Sequence, residues 1–318
     1  MKLNTERIHT IWHLTWPQCI MLLCQFVIGI TDVWAGGRIG SEVQASIGLI
    51  TQCHMMFMAL AMAAVNGAVA SISQSLGACK FVRARRYVGL VTIGCIAVGS
   101  AIAVAASVWR EPLLRLIQTP ESIMPVAIMF LTATIWGIPG QYTLTIGAAV
   151  FRSAKMVLIP LYVTGTACLL NVFGDLAFGL GWWGFPAYGA AGLAYSTLIS
   201  VTVGAALMLF LLMRHGLFTR DSFPGWRWIK AGAPYLLKVA GPAFGTSFLW
   251  QTGYMVLYVI TASLPFGRVN ALAGLTTGLR VESILFLPAV AFSMTASVLV
   301  GHALGEGNHR EAKRTLLA

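Results

Sequence analysis

Long apolar runs alternate along the chain with short polar stretches. Eight such runs lie roughly at 12–36, 43–76, 88–108, 123–147, 156–180, 187–213, 235–263 and 270–301. A helix needs ~20 predominantly apolar residues to cross a bilayer. A membrane-barrel strand would instead show about ten residues of alternating character, and these runs are continuous. The pattern predicts an all-α, polytopic membrane helix bundle of about eight transmembrane helices.

Composition agrees. Of 318 residues, 58% are hydrophobic and 10% charged, and the mean hydropathy is +0.79. A soluble domain carries about 25% charged residues. These values exclude a soluble enzyme, a disordered tail and a secreted disulfide scaffold. Cys19, Cys24, Cys53, Cys95 and Cys168 sit inside apolar runs and Cys79 in a basic loop, without the spacing of a zinc motif. No cleavable signal is apparent, because the first run contains Pro17 and leads into Asp32.

The formal charge of +11 invites a nucleic-acid reading. We reject it, because the basic residues sit at the ends of apolar runs. Sixteen Lys and Arg fall at one end of the runs, including Lys80, Arg83, Arg85, Arg86, Arg152, Lys155, Arg214, Arg227 and Lys230. Four fall at the other: Arg38, Arg110, Arg115 and Arg268. The positive-inside rule then places both termini in the cytoplasm. The expected location is the inner membrane of a bacterium.

The chain also contains a weak copy of itself. Ser75-Leu76-Gly77-Ala78 and the basic run after it resemble Ala303-Leu304-Gly305-Glu306 and its basic run, at an offset of 228. Gln25 pairs with Gln251, and Trp16-Pro17 with Gly241-Pro242, at nearly the same offset. The first copy has six spans, so both copies insert with one polarity, related by an axis along the membrane normal. The expected organisation is a complete six-helix first lobe over 1–213, a cytoplasmic inter-lobe linker over 214–234, and the first two helices of a parallel second lobe over 235–318. The second copy is read as truncated.

Three acidic residues fall inside the runs: Asp32, Asp175 and Glu282. A charge at the bilayer centre costs roughly 2.5–3.5 kcal/mol, so such groups usually face a cavity. Asp32 forms a seven-residue stripe with Gln18 and Gln25, either facing a cavity or reaching water at the outer interface. Asn171 and Asp175 are four apart and share a helical face. They are read either as hard oxygen ligands for Na⁺, or a support for a titrating Asp, or as an amide satisfying a buried acid. Thr197 adds a hydroxyl, or bonds only its own backbone. Arg280 and Glu282 correspond by the repeat to Gln52 and His54, which places polar pairs at one depth in both copies. A substrate cavity between lobes and simple snorkelling both fit. Tyr254 and Tyr258 follow Gln251 on one face, as a wall for organic cations or as an interfacial aromatic belt.

Several of these segments resemble one family. Gly29-Ile30-Thr31-Asp32 through Gly36-Gly37-Arg38-Ile39-Gly40 is similar to the first-helix signature of multidrug and toxic compound extrusion (MATE) transporters. Gln74-Ser75-Leu76-Gly77-Ala78 resembles that family's end of helix two. Phe151-Arg152-Ser153, Leu170-Asn171 and Gly189-Ala190-Ala191-Gly192 through Thr197 resemble its helix-five and helix-six region. Gly278-Leu279-Arg280-Val281-Glu282-Ser283 through Gly305 resembles helix eight. The resemblance implies two six-helix lobes and alternating access coupled to H⁺ or Na⁺. In the branch related to DNA-damage-inducible protein F, it implies a cation site at Asp32, Asn171, Asp175 and Thr197.

The leading functional expectation is a non-enzymatic, cation-coupled antiporter that exports amphipathic, often cationic organic compounds. It would work as a monomer in the lipid bilayer, with small-molecule substrates, no nucleic acid and no cofactor beyond the coupling ion, H⁺ or Na⁺. The expected substrate cavity comprises Gln25, Gln52, His54, Gln251, Tyr254, Tyr258, Arg280 and Glu282. Three other readings are weighed. A lipid-linked sugar flippase would need several basic residues in the cavity, and, with Lys238 counted to the basic stretch that extends into the start of the seventh run, only Arg280 lies inside a run. An intramembrane prenyltransferase would need further carboxylates after Asn171-x-x-x-Asp175, and Gly179 stands at the next position. A non-functional fragment is the fourth.

Overall fold

The structure is a computed structural model, and it describes residues 5–116, 119, 121, 123–262 and 268–316. Ten α-helices are described: α1 (Thr5–Ile39), α2 (Ser41–Gly77), α3 (Phe81–Val108), the short α4 (Arg110–Leu116), α5 (Met124–Ser153), α6 (Leu158–Gly174), α7 (Ala190–Arg214), α8 (Trp226–Ala262), α9 (Arg268–Gly305) and α10 (His309–Leu316). Among the described residues, each apolar run of the sequence falls mainly on one of these helices. No strand occurs among the described residues.

Seven helical segments are long and apolar enough to cross a membrane among the described residues, where the sequence pattern predicts about eight. The one that falls short is on α8. It carries Arg227, Lys230 and Lys238 in its first half. Its apolar half is diluted by Thr246, Gln251, Thr252, Gly253 and Tyr254. At 37 residues it still has the length of a span. With seven apolar spans, the chain is a multi-pass membrane protein.

The helices overrun the apolar runs mainly at the basic end. α3 begins at Phe81 rather than near 88, and α8 at Trp226 rather than 235. Helical backbone satisfies its own hydrogen bonds and continues into water wherever Lys and Arg side chains are solvated, so hydropathy marks the membrane edge and not the helix end. The expected linker over 214–234 is correspondingly structured. Arg220–Ser222 forms a 3-10 turn in which the Thr219 backbone N–H donates to Ser222 Oγ at 3.0 Å, and Leu217, Phe218 and Trp228 pack on the core.

α5 occupies the centre of the first six long helices, packed against α2, α3 and α7, while α1 lies on α6 and α2. Two apolar clusters fill the bundle. One, toward the basic end, includes Ile72, Val88, Tyr142, Phe151 and Met208 and takes in Val298 from α9. The other, toward the opposite end, includes Ala35, Ile47, Ile135 and Leu193. In lipid the tails are as apolar as the side chains, so close packing and satisfied polar groups hold such helices together. Tyr142 on α5 accordingly donates to the Phe57 carbonyl of α2 at 2.5 Å.

α8 and α9 pack chiefly on α2, and their described contacts with earlier helices cluster at the basic end. Thr15 and Gln18 of α1 donate to Thr295 Oγ1 of α9 at 2.9 and 2.8 Å. Tyr235 of α8 donates to Gln74 Oε1 at 2.5 Å. His302 Nε2 lies 2.8 Å from the Ser153 carbonyl at the end of α5. α2 and α9 cross with their backbones nearly touching. Gly77 lies against the His302 carbonyl, Gly301 against Ser73 Oγ, and Gly305 against the Gln74 carbonyl. Ser73 and Gly301, and likewise Gly77 and Gly305, are partners at the repeat offset of 228. The crossing is thus made by equivalent positions of the two copies. Away from this end, α2 exposes Met55 and Met56, α8 exposes Phe248 and Trp250, and α9 exposes Leu285.

Candidate functional site

The fold brings α1, α6 and α7 together around two carboxylates. α6 does not end cleanly. Its last turn widens into a π-turn over Asp175–Gly179, closed by Leu180 N–H donating to the Asp175 carbonyl at 3.0 Å. Such insertions in α-helices are frequent at functional sites. Three glycines let this turn approach the start of α7. Gly174 faces Ser196, Gly179 faces the Leu193 side chain, and Gly192 sits on the Phe178 carbonyl. A Cβ at Gly192 would overlap backbone, which has no cheap way to move.

Asn171 and Asp175 are fully buried, and Asp32 on α1 is half-buried. The Asp32 carboxylate lies beside both the Asp175 carboxylate and the Asn171 amide. Ser196 Oγ donates to Asp175 Oδ1. Asn171 Nδ2 donates to Thr197 Oγ1 at 3.1 Å, and that hydroxyl donates onward to the Leu193 carbonyl, also 3.1 Å. Asp32 Oδ1, Asn171 Oδ1 and Asp175 Oδ2 are buried without a hydrogen-bond partner among the described residues. Neither carboxylate forms an ion pair with a Lys, Arg or His there; the described ion pair joins Arg85 to Asp221, far along the bundle.

All four sequence-predicted cation-site residues therefore meet in one place, but two details differ. Thr197 touches the Asn171 amide rather than a carboxylate. Ser196, which the sequence reading passes over, is the hydroxyl on Asp175. Both point inward because α7 begins directly opposite the π-turn, a feature with no signature in hydropathy. Adjacent Ser and Thr at the start of a span are the one available signal.

The Asp32 stripe does not share one environment. Gln18 is buried against α9, Gln25 is exposed, and Asp32 faces α6. Of the expected cavity residues, Gln52 is exposed and His54 half-buried on α2. Tyr254 Oη donates to Glu282 Oε1 at 2.9 Å, joining α8 to α9. The side chains of Gln251, Tyr258 and Arg280 lie outside the described residues. Among the described residues, no group of three or more His, Cys, Asp and Glu could hold a metal ion. The oxygens beside the two carboxylates come from an amide and from hydroxyls.

The MatE family profile matches residues 17–176 and 242–318, more than half of the chain. A probable multidrug resistance protein NorM from Thermotoga maritima is 27% identical over 293 residues, covering 89% of this chain and 60% of that protein. An FAD transporter from Shewanella oneidensis is 23% identical over 304 residues, covering 95% of this chain and 66% of that protein. The chain thus spans less than two thirds of the length of these curated relatives. Among solved structures, the MATE transporter VcmN from Vibrio cholerae superposes with a TM-score of 0.88 at 20% identity, over 98% of this chain and 69% of that one.

Proposed function

The chain belongs to the MatE family of membrane transporters, and from that premise we propose that it carries the cation-coupling lobe of an exporter of amphipathic organic compounds. One observation supports the reading most directly. Two carboxylates lie side by side between α1 and α6, and among the described residues one oxygen of each is buried without a donor and no cationic side chain pairs with either. Like charges so placed repel, and burial removes the water that would screen them. A proton or a monovalent cation between them relieves both costs. Asn171 and the hydroxyls of Ser196 and Thr197 supply hard, neutral donors and acceptors around that position.

In this reading, cation occupancy biases the packing of α1 on α6, since a ligand shifts an equilibrium only through its differential affinity for the two states. The contacts of α8 and α9 with α1, α2 and α5 at the basic end support an arrangement sealed toward the cytoplasm and open at the opposite face. The test uses the chain in lipid vesicles loaded with a fluorescent organic cation. An imposed gradient of H⁺ or Na⁺ is expected to accelerate dye movement against that cation. Dye movement indifferent to both gradients would refute coupling.

Ser196 yields a finer prediction. A hydroxyl donating to an ionised carboxylate contributes roughly 1.5–3 kcal/mol. Without that donor the ionised carboxylate is less stabilised and takes up a cation more readily, so Ser196→Ala is expected to lower the cation concentration needed for half-maximal dye movement about tenfold, whereas Ser196→Thr retains the donor and the wild-type value. Equal behaviour of the Ala and Thr variants would remove Ser196 from the site.

Orientation is tested separately. Trp226 is exposed at the start of α8, at the basic end. In a background lacking the native cysteines, Trp226→Cys is expected to resist a membrane-impermeant thiol reagent in intact cells and to react once the cells are opened. Rapid labelling of intact cells would reverse the assigned topology.

A further inference from the structure

Two segments far apart in sequence form a single surface at the basic end of the bundle. The connection from α7 to α8 does not hang free; it is docked on the first turns of α3. Arg85 Nη1 lies 3.3 Å from Asp221 Oδ2. Ser222 is buried with its backbone against Gly89. The Trp228 ring meets the Tyr87 ring edge-on, with centroids 4.9 Å apart. On this base the cations lie over rings: Arg83 over Tyr87 at 5.6 Å, Arg86 over Trp228 at 5.9 Å, and Lys230 over Trp226 at 5.6 Å. A guanidinium stacked by its face keeps its edge N–H groups available for an anion.

Beside these cations is a shallow, open recess of about 470 Å³ lined by Cys79, Lys80, Phe81, Val82, Arg83 and Arg86. It stands at the membrane boundary, since one apolar span ends at Gly77 and the next begins at Phe81. Apolar groups are exposed at the same level, Phe81 at 59% and Trp226 at 69%. Asp221 is the only acidic residue in either segment, and Arg85 already neutralises it. The surface therefore combines unneutralised positive charge with exposed apolar side chains at the depth where headgroups meet acyl chains.

We propose that this surface binds the phosphate headgroup of an anionic phospholipid, with Lys80, Arg83 and Arg86 as its principal contacts. Phe81 and Val82 then lie along the upper acyl chain. Because Arg86 is stacked on Trp228, a headgroup held there also ties the start of α8 to α3. The proposal is independent of the coupling cation and the exported compound.

The purified 318-residue chain in neutral detergent is titrated with phosphatidylglycerol, phosphatidylcholine or inorganic phosphate, and thermal unfolding and retained lipid are measured. Phosphatidylglycerol is expected to raise the unfolding temperature and to remain bound, with higher salt weakening both effects. Each surface Lys or Arg strengthens attraction to anionic lipid by roughly fivefold, so K80Q/R83Q/R86Q should weaken binding about a hundredfold. Arg83→Gln alone, at an exposed position outside any ion pair among the described residues, should weaken it about fivefold. The equal charge change R310Q/K313Q/R314Q on α10 should leave binding within twofold. Equal stabilisation by phosphatidylcholine, or unchanged binding in the Arg83 and triple variants, would overturn the site. Equal stabilisation by inorganic phosphate at matched concentration would overturn the lipid in favour of a soluble anion.

Discussion

Asp32→Asn is expected to abolish cation-driven dye movement while leaving the helical fold intact. The substitution keeps the size of the side chain and gives it a donor, so the bundle loses no packing. It removes the charge that a coupling ion would neutralise. At an effective dielectric near 20, a unit charge about 4 Å away is worth roughly 4 kcal/mol, or close to a thousandfold in monovalent cation affinity. The new amide also lies beside the Asp175 carboxylate and donates to it, which relieves the like-charge contact that makes cation uptake favourable. Asp175→Asn should act in the same direction, with an added fold cost because Asp175 is fully buried and accepts from Ser196. Glu282→Gln, which retains an acceptor for Tyr254, should change dye preference more than cation dependence. Gradient-driven movement by Asp32→Asn at the wild-type rate, with unchanged helical circular dichroism, would make the carboxylate structural.

The cluster around Asp32 is legible in the sequence because charge is so scarce in the apolar runs. With only Asp32, Asp175 and Glu282 among them, each acid stands out, and the four-residue spacing from Asn171 predicts a shared face. What remained hidden depends on irregular backbone. The π-turn after Gly174 shifts the helical register by one residue, and three glycines bring α7 onto it, so Ser196 rather than Thr197 lands on the carboxylate. The docked connection near Ser222 escaped for another reason. Arg, Asp, Ser and Pro between two spans read as a polar loop, and nothing local announces that Gly89 leaves room for a backbone to lie on α3. The stripe of Gln18, Gln25 and Asp32 misled in a third way. Seven residues fall slightly short of two helical turns, so the positions drift around the helix: Gln18 packs on α9, Gln25 is exposed and Asp32 faces α6.

The second large effect is expected where α2 and α9 cross. A Cβ placed on Gly77 would overlap the His302 carbonyl, which belongs to a helical backbone and yields only if the helices separate. Gly305 stands in the same relation to the Gln74 carbonyl. Overpacking a close contact typically costs 1–3 kcal/mol, and in lipid no gain in hydrophobic burial offsets it. Gly77→Val should therefore force the basic ends of α2 and α9 apart by the width of a methyl group or more. The hydrogen bonds from Tyr235 to Gln74 and from Thr15 and Gln18 to Thr295 lie on either side of the crossing and should weaken together. Two readouts follow: a lower unfolding temperature, and a longer distance between spin labels at exposed Phe81 and Leu304. Gly48→Val and Gly165→Val are the controls, because a Cβ at either position meets nothing within 4 Å. They add the same β-branched side chain to a helix and carry only its small propensity cost. If Gly77→Val matches these controls in stability and label distance, the crossing is not the contact that closes the basic end. If it opens the crossing while the Asp32 and Asp175 region stays intact, the seal and the cation site are separable parts of one bundle. Their coupling would then rest on α1, which reaches Thr295 through Thr15 and Gln18 and reaches Asp175 through Asp32.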